Sequence, residues 1–322
     1  MRAAVCHAYG PPETIRVSSV PSPPVSAGQV RVRVGAAAVN FPDVLLMANA
    51  YQVTVPVPFV PGSEFAGVVA EVGVGVSGLA VGDRVMGTAI AGAFAEEIVV
   101  PATSVTIIPG GVTDASAAAF GVAHRTAYHV LRSVARLRRG ERLVVLGAGG
   151  GVGLAAVQLG ALLGATVTAV ASTDAKLAAS CGAASLINHT RVDLRQELRA
   201  AFPDGVDVVV DPVGGDLAEP ALRALRWGGR FVTVGYASGT VPRIPLNLVL
   251  LKGCQILGFQ FRDFAAHAPR ELARNEAALL DLLATGQALP RVGATFKLAE
   301  AAAALRHVAD GKAIGKVVLA IG

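Results

Sequence analysis

The sequence predicts an α/β protein: a doubly wound parallel sheet with helices on both faces, joined to a second, mostly β barrel domain. Three observations carry this. Strand-like and helix-like segments alternate from Glu141 onward, which is the pattern of βαβ units. The segment before about Thr113 is rich in valine, proline and glycine, with short runs of alternating polarity. A glycine-rich turn stands where the first apolar strand of the alternating region meets its first helix.

In the first part, Gln29–Val34 alternates strictly, as a half-buried strand does, and Gly67–Gly73 and Asp83–Gly87 are short strands bounded by turn residues. Helices are predicted near Asp114–Ala119 and Thr126–Ala135. The alternating series is strand Arg142–Leu146, helix Gly153–Gly164, strand Thr166–Ala171, helix Asp174–Cys181, helix Val192–Ala201, strand Val206–Asp211, helix Leu217–Leu225 and strand Arg230–Gly235. After Pro245 the texture becomes mixed, with strand Gln255–Phe261, helix Glu271–Thr285 and strand Lys316–Ile321. A dinucleotide domain over 121–249 is therefore expected to interrupt a substrate domain built from 1–120 and 250–322.

Composition narrows the functional classes. With 322 residues, 53% hydrophobic and 16% charged, the chain is long and apolar enough for about two folded domains. The uncharged run Leu143–Thr173 contains a glycine cluster, Gln158 and a β-branched stretch, so it reads as strand, turn, helix and strand rather than a membrane span. The N-terminus has no apolar segment of signal-peptide length. Cys6, Cys181 and Cys254 cannot pair completely and show no Cys-x-x-Cys spacing; free thiols in a reducing cytoplasm are expected. The net charge of +5 includes a cluster at Arg132, Arg136, Arg138, Arg139 and Arg142. No aromatic residues interleave with it, so it reads as a solvated helix end and not a nucleic-acid patch.

The turn Gly147-Ala148-Gly149-Gly150-Gly151-Val152-Gly153 is a phosphate-binding signature of the Rossmann type. Small residues let the backbone approach a pyrophosphate, and the following helix N-terminus offers N–H groups and a positive dipole end. Ala148, Gly150, Gly151, Val152 and Gly153 are the candidate contacts. An acid that would accept from a ribose 2′-OH is expected about 20 residues on. That position falls on Ala171, followed by Ser172, Thr173, Asp174 and Lys176. Ser172 and Lys176 suit a 2′-phosphate, so NADPH is the expected cofactor; Asp174 is a candidate helix cap or, alternatively, a ribose contact.

With these residues in place, the chain resembles the medium-chain dehydrogenase/reductase superfamily, and within it the zinc-free quinone oxidoreductase group. The matching segments are Val39–Asp43, Pro61–Gly67, Val81–Val85, Gly147–Gly153, Asp211–Gly215, Gly228–Arg230, Ile244–Leu248 and Gly315–Val318. The resemblance implies a GroES-like barrel domain beside the Rossmann domain. Zinc-dependent relatives carry metal ligands where this chain has Asn40, Ser63 and Phe120, a set that cannot bind catalytic zinc, so no metal is expected.

The resemblance also implies a site. Tyr51, eleven residues after Asn40, is the candidate proton or hydrogen-bond donor, with Asn40 and Asp43 shaping the catalytic pocket. Thr126, Val234, Gly235 and Tyr236 are expected around the nicotinamide, and Phe259 and Phe261 near it from the other domain. His189 and Lys316 are candidate contacts to the cofactor phosphates. The expected activity is hydride transfer from NADPH to a quinone or another small electrophilic acceptor. The alternative is reduction of an activated C=C bond, in an enone, enoyl thioester or acrylate. A remote alternative is a non-catalytic nucleotide- or RNA-binding protein. Gln255–Phe261 is expected to be an edge strand through which two copies form a homodimer.

Overall fold

The structure, a computed structural model, describes Met1–Gly322. The chain begins with β1 (Arg2–Cys6), β2 (Ile15–Ser19), β3 (Gln29–Val39), α1 (Phe41–Met47), β4 (Glu64–Val72), β5 (Arg84–Thr88), β6 (Glu97–Pro101), β7 (Val105–Ile107) and α2 (Asp114–Phe120). The middle contains α3 (Ala123–His129), β8 (Arg142–Leu146), α4 (Gly151–Leu162), β9 (Thr166–Ala171), α5 (Asp174–Ala178), β10 (Ser185–Asn188), α6 (Leu194–Ala201), β11 (Val206–Asp211), α7 (Ala218–Arg223), β12 (Leu225–Thr233), α8 (Asn247–Lys252), β13 (Gln255–Gly258), α9 (Phe261–His267) and α10 (Pro269–Ala284). It ends with β14 (Val292–Lys297), α11 (Ala301–Ala309) and β15 (Lys316–Ala320).

Two compact units result: Met1–Val122 with Leu289–Gly322, and Ala123–Ala288. The first is the expected barrel domain. Its larger sheet runs β14-β15-β3-β4-β5-β7, with β6 also on β3. Along β3, Val30, Val32 and Val34 are buried while Arg33 is exposed, which realises the alternation in the sequence. After Gly35 the strand is buried on both faces, through Ala36–Val39, and in this stretch it pairs with β15. The core also takes in Phe65, Phe94, Leu305 and Leu319.

The second unit is a six-stranded parallel sheet in the order β10-β9-β8-β11-β12-β13. This is the doubly wound order, in which the winding reverses between β8 and β11. Those two strands are almost wholly buried, as apolar strands covered on both faces must be. Gly160 lets α4 approach the sheet, since a Cβ there would lie 2.5 Å from Leu143 Cδ2.

The structure corrects the expected return to the barrel domain at residue 250. β13 pairs in parallel with β12 and completes the sheet, so the second unit extends to Ala288. The mixed texture after Pro245 reflects an exposed loop and the short α8, not the end of the sheet. β13 also stops at Gly258, and Phe261 opens α9. The helix expected over Thr126–Ala135 starts earlier, at Ala123, and passes into a π-helical turn at Val130–Val134. No helix is long and apolar enough to cross a membrane.

Candidate active site

The glycine turn is built as its sequence requires. Gly147 has φ +61°, and a Cβ there would lie 2.6 Å from Val213 Cγ2. A Cβ on Gly153 would lie 2.1 Å from the Gly147 carbonyl oxygen, so the first turn of α4 can fold back only over glycine. Ala148 N–H donates to Val170 O at 3.0 Å, which ties the turn to β9. Gly150 is the N-cap of α4 and offers no side chain to cap it. The N–H groups at Gly151, Val152 and Gly153 therefore begin a helix whose positive end is suited to a pyrophosphate.

At the end of β9, Ala171 is buried and carries no charge. Lys176 Nζ donates to Ser172 Oγ at 3.4 Å, and the stem of Lys176 covers Gly149. Burial holds the Lys176 pKa below its usual value. His189 N–H donates to Ala171 O at 3.1 Å. Burial, and then the nearby Lys176 charge, depress its imidazole pKa and favour the neutral ring. Asp174 faces elsewhere: its carboxylate lies 2.8 Å from Asn188 Nδ2 and 2.7 Å from Arg191 Nη2. Nor does it cap α5, because Thr173 Oγ1 accepts from Lys176 N–H at 3.2 Å. A hydroxyl, an ammonium and an imidazole thus converge at this strand end, which fits a dinucleotide bearing a 2′-phosphate.

The remaining cofactor candidates of this unit follow the ends of β12 and β13 or lie on α3 and α9. Val234 N–H donates to Asp211 O at 2.8 Å, Gly235 follows, and the Tyr236 ring covers Gly214. Asp211, given no role from sequence, is fully buried. Its Oδ1 accepts from Val213 N–H at 2.8 Å and Gly214 N–H at 2.9 Å, and burial raises its pKa. Thr126 lies on α3, which is clamped to α10. Arg125 Nε lies 2.8 and 2.9 Å from the two oxygens of Glu276, and His129 Nε2 lies 3.0 Å from Oε1. Burial alone would raise the Glu276 pKa, but the His129 hydrogen bond and the Arg125 charge hold it low. Phe259, Phe261 and Phe264 surround the buried His129 ring. Phe259 and Phe261 therefore belong to the same unit as the glycine turn, a correction to the expectation that the other domain supplies them. The short β13 and the immediate start of α9 fold them back onto α3.

The barrel unit holds a buried polar network. Asn40 follows β3 as the N-cap of α1, and its N–H donates to Asp43 Oδ2 at 2.7 Å. Its Nδ2 donates to Glu64 Oε1 at 2.9 Å and to Ser63 Oγ at 3.3 Å. Its Oδ1 accepts from Lys316 Nζ at 2.5 Å, and Lys316 is also ion-paired with Glu64 Oε1. Glu64 Oε2 accepts from Val122 N–H at 2.7 Å. Asp43 is wholly buried and one of its oxygens has no partner. Burial pushes its pKa up to about 7, against the opposing effects of the Asn40 and Ser63 hydrogen bonds.

Lys316 needs correction as a phosphate contact. Its side chain is 4% exposed, and its charge is committed to Glu64 within the barrel unit. Asn40 and Asp43 are brought together as expected. Tyr51 lies in the loop after α1, half-buried against the barrel core, and Phe120 ends α2, buried in the same unit. Sequence reasoning missed Glu64. The available signal was an acid in a strand buried on both sides, which requires a cationic partner.

Comparison with known proteins agrees with both units. The family described as alcohol dehydrogenase GroES-like domain matches residues 26–110, and that described as zinc-binding dehydrogenase matches 151–278. The chain is 36% identical to bovine (Bos taurus) quinone oxidoreductase-like protein 2, over 99% of this chain and 92% of the bovine one. It is 38% identical to a segment of a Streptomyces halstedii polyketide synthase, over 92% of this chain and 5% of the synthase. The crystal structure of Escherichia coli quinone oxidoreductase complexed with NADPH superposes with a TM-score of 0.90 at 26% identity, covering 99% of this chain and 100% of the other. The chain belongs to the medium-chain dehydrogenase/reductase superfamily, in its quinone oxidoreductase group.

Proposed function

We propose that this protein is an NADPH-dependent reductase that delivers hydride to a quinone without zinc. One observation carries the reading: Asn40 and Ser63 stand where zinc-dependent relatives have ligands, and they are drawn into a network centred on the Lys316 ammonium. Of the groups in this network only the Glu64 and Asp43 carboxylates are usual zinc-ligand types, fewer than the three protein ligands a catalytic zinc site takes, and Glu64 is already committed to Lys316, Asn40 and Val122. The NADPH complex of the E. coli relative and the Ser172–Lys176–His189 cluster support the choice of cofactor.

Bound NADPH supplies the hydride. Gly150–Gly153 hold the pyrophosphate, and Ser172, Lys176 and His189 select the 2′-phosphate. Thr126, Val234, Gly235, Tyr236, Phe259 and Phe261 enclose the nicotinamide end. Asn40, fixed on four sides, and the buried Asp43 shape the acceptor pocket. Tyr51 donates a hydrogen bond or proton to the acceptor oxygen as charge develops there. Steady-state reduction of a quinone panel with NADPH tests the whole reading; turnover that requires added zinc, or a preference for NADH, overturns it. Tyr51→Phe with unchanged kcat/KM on every acceptor excludes the donor role.

A second reading is reduction of activated C=C bonds, and the likeness to a polyketide synthase segment favours it. Faster turnover of enones or enoyl thioesters than of quinones would select it. We also propose a homodimer formed through β13. This strand ends the sheet, and Ile256, Leu250, Leu251 and Trp227 expose apolar surface beside it. Light scattering at micromolar concentration is expected to give twice the chain mass.

A further inference from the structure

The arginine cluster singled out in the sequence takes part in a second concavity, one that the cofactor reading does not use. It has a volume of about 580 Å³, and its walls include Arg136, Arg138, Glu141, Arg226, Arg230 and Gln255. Glu141 immediately precedes β8, and Gln255 opens β13. The cavity therefore lies at the amino ends of these strands, whereas the glycine turn and Val234 follow the carboxyl ends of β8 and β12. The two sites occupy opposite ends of one parallel sheet.

The charges in this cavity do not balance. Arg230 is 13% exposed and donates from Nη2 to Glu141 Oε1 at 2.6 Å. Its Nε is buried without an acceptor. Glu141 is shared rather than devoted to Arg230, because its Oε2 accepts from Arg138 N–H at 2.9 Å. Arg226 is ion-paired with Asp207, whose other oxygen accepts from Arg142 N–H at 2.8 Å. Arg136 and Arg138 have no ion-pair partner. Arg136 also holds φ +50°, a left-handed backbone that an arginine has no side-chain reason to adopt. Two uncompensated guanidinium groups and an orphaned Nε thus border one cavity, an arrangement suited to an anion with several oxygens pointing in different directions.

We propose that this cavity is a binding site for a small phosphate-bearing anion of the pyrophosphate class. A single carboxylate presents only two oxygens, both in one plane, to three groups around the cavity. A polynucleotide would need a basic stripe with stacking aromatic faces along it, and the cavity walls carry none. The site is independent of the cofactor assignment.

The chain contains its own reporter. Trp227, the only tryptophan, stands between Arg226 and Gly228, both of which line the cavity, and its carbonyl accepts from Arg226 Nη1 at 3.2 Å. The test is a titration of the intact protein with inorganic pyrophosphate, followed by Trp227 fluorescence, with NADP+ held saturating so that the glycine turn is occupied. A saturable change is expected. Arg136→Gln with Arg138→Gln should weaken it at least about tenfold, the equivalent of losing charged hydrogen bonds. Both arginines are exposed, so the fold should survive. The proposal is overturned if no saturable change appears at millimolar pyrophosphate, if the double variant binds equally well, or if sodium chloride of matched ionic strength gives the same signal.

Discussion

Replacing Lys316 by methionine removes the charge at the centre of the barrel network while nearly keeping the side-chain volume. The side chains of Lys316 and Glu64 are only 4% and 1% exposed, so water cannot compensate for the loss. Glu64 would keep the Asn40 and Val122 donors but lose its counter-ion. Leaving one partner of a buried pair uncompensated costs about 3–5 kcal/mol. For a unit of this size that is a drop in Tm of roughly 10 °C. The double variant Lys316→Met/Glu64→Gln should recover much of the loss. Its amide can accept from Val122 N–H and donate to the Asn40 Oδ1 that Lys316 vacates. Thermal and guanidinium unfolding of the wild type, both single variants and the double variant form a cycle that measures the coupling. If Lys316→Met costs less than about 1 kcal/mol, or the double variant is no better than the single, the buried-pair argument fails.

Three further outcomes follow from the same geometry. Gly153→Ala should abolish measurable NADPH binding in fluorescence titrations, because the new methyl would lie 2.1 Å from the Gly147 oxygen. Lys176→Ala should reduce the preference for NADPH over NADH by about tenfold in kcat/KM, with little effect on NADH itself. Asp43 has a folded pKa raised to about 7, so its burial favours the protonated form. Relative to Asp43→Asn, the wild type should therefore lose stability as the pH rises from about 4 towards 7, by on the order of 4 kcal/mol. Unfolding midpoints of the two proteins across that range check the sign, and parallel profiles would refute it.

The parts of the site legible in the sequence are those that depend on neighbours close along the chain. The glycine turn needs only its own seven residues and the strand before it, and Ser172 and Lys176 follow from one strand end. Asn40 and Asp43, three residues apart, could be paired for the same reason. Lys316 could not be placed, because its partners lie 276 and 252 residues away and no local pattern connects them. Composition does not tell which unit holds Phe259 and Phe261, because a short edge strand reads alike in either sheet. The parallel register of β13 on β12 decides that, and it is a tertiary fact. Asp174 shows the opposite limit: its position allowed several roles, and only the Asn188 and Arg191 contacts choose among them.

The discontinuity of the barrel unit has a consequence for synthesis. The Ala123–Ala288 unit is continuous, so all its strands have emerged before the chain is finished. The barrel must wait for β15, whose pairing with β3 spans most of the chain, and closing so long a loop is entropically slow. A nascent chain thus has a complete nucleotide-binding half while Asn40 and Glu64 still lack their cation and the Ala36–Val39 end of β3 lacks its partner strand on one edge. The order of assembly completes the Asn40–Glu64–Lys316 network last, and a ribosome-bound chain stopped before Lys316 should protect the glycine turn from proteolysis while leaving the Ala36–Val39 end of β3 open to it.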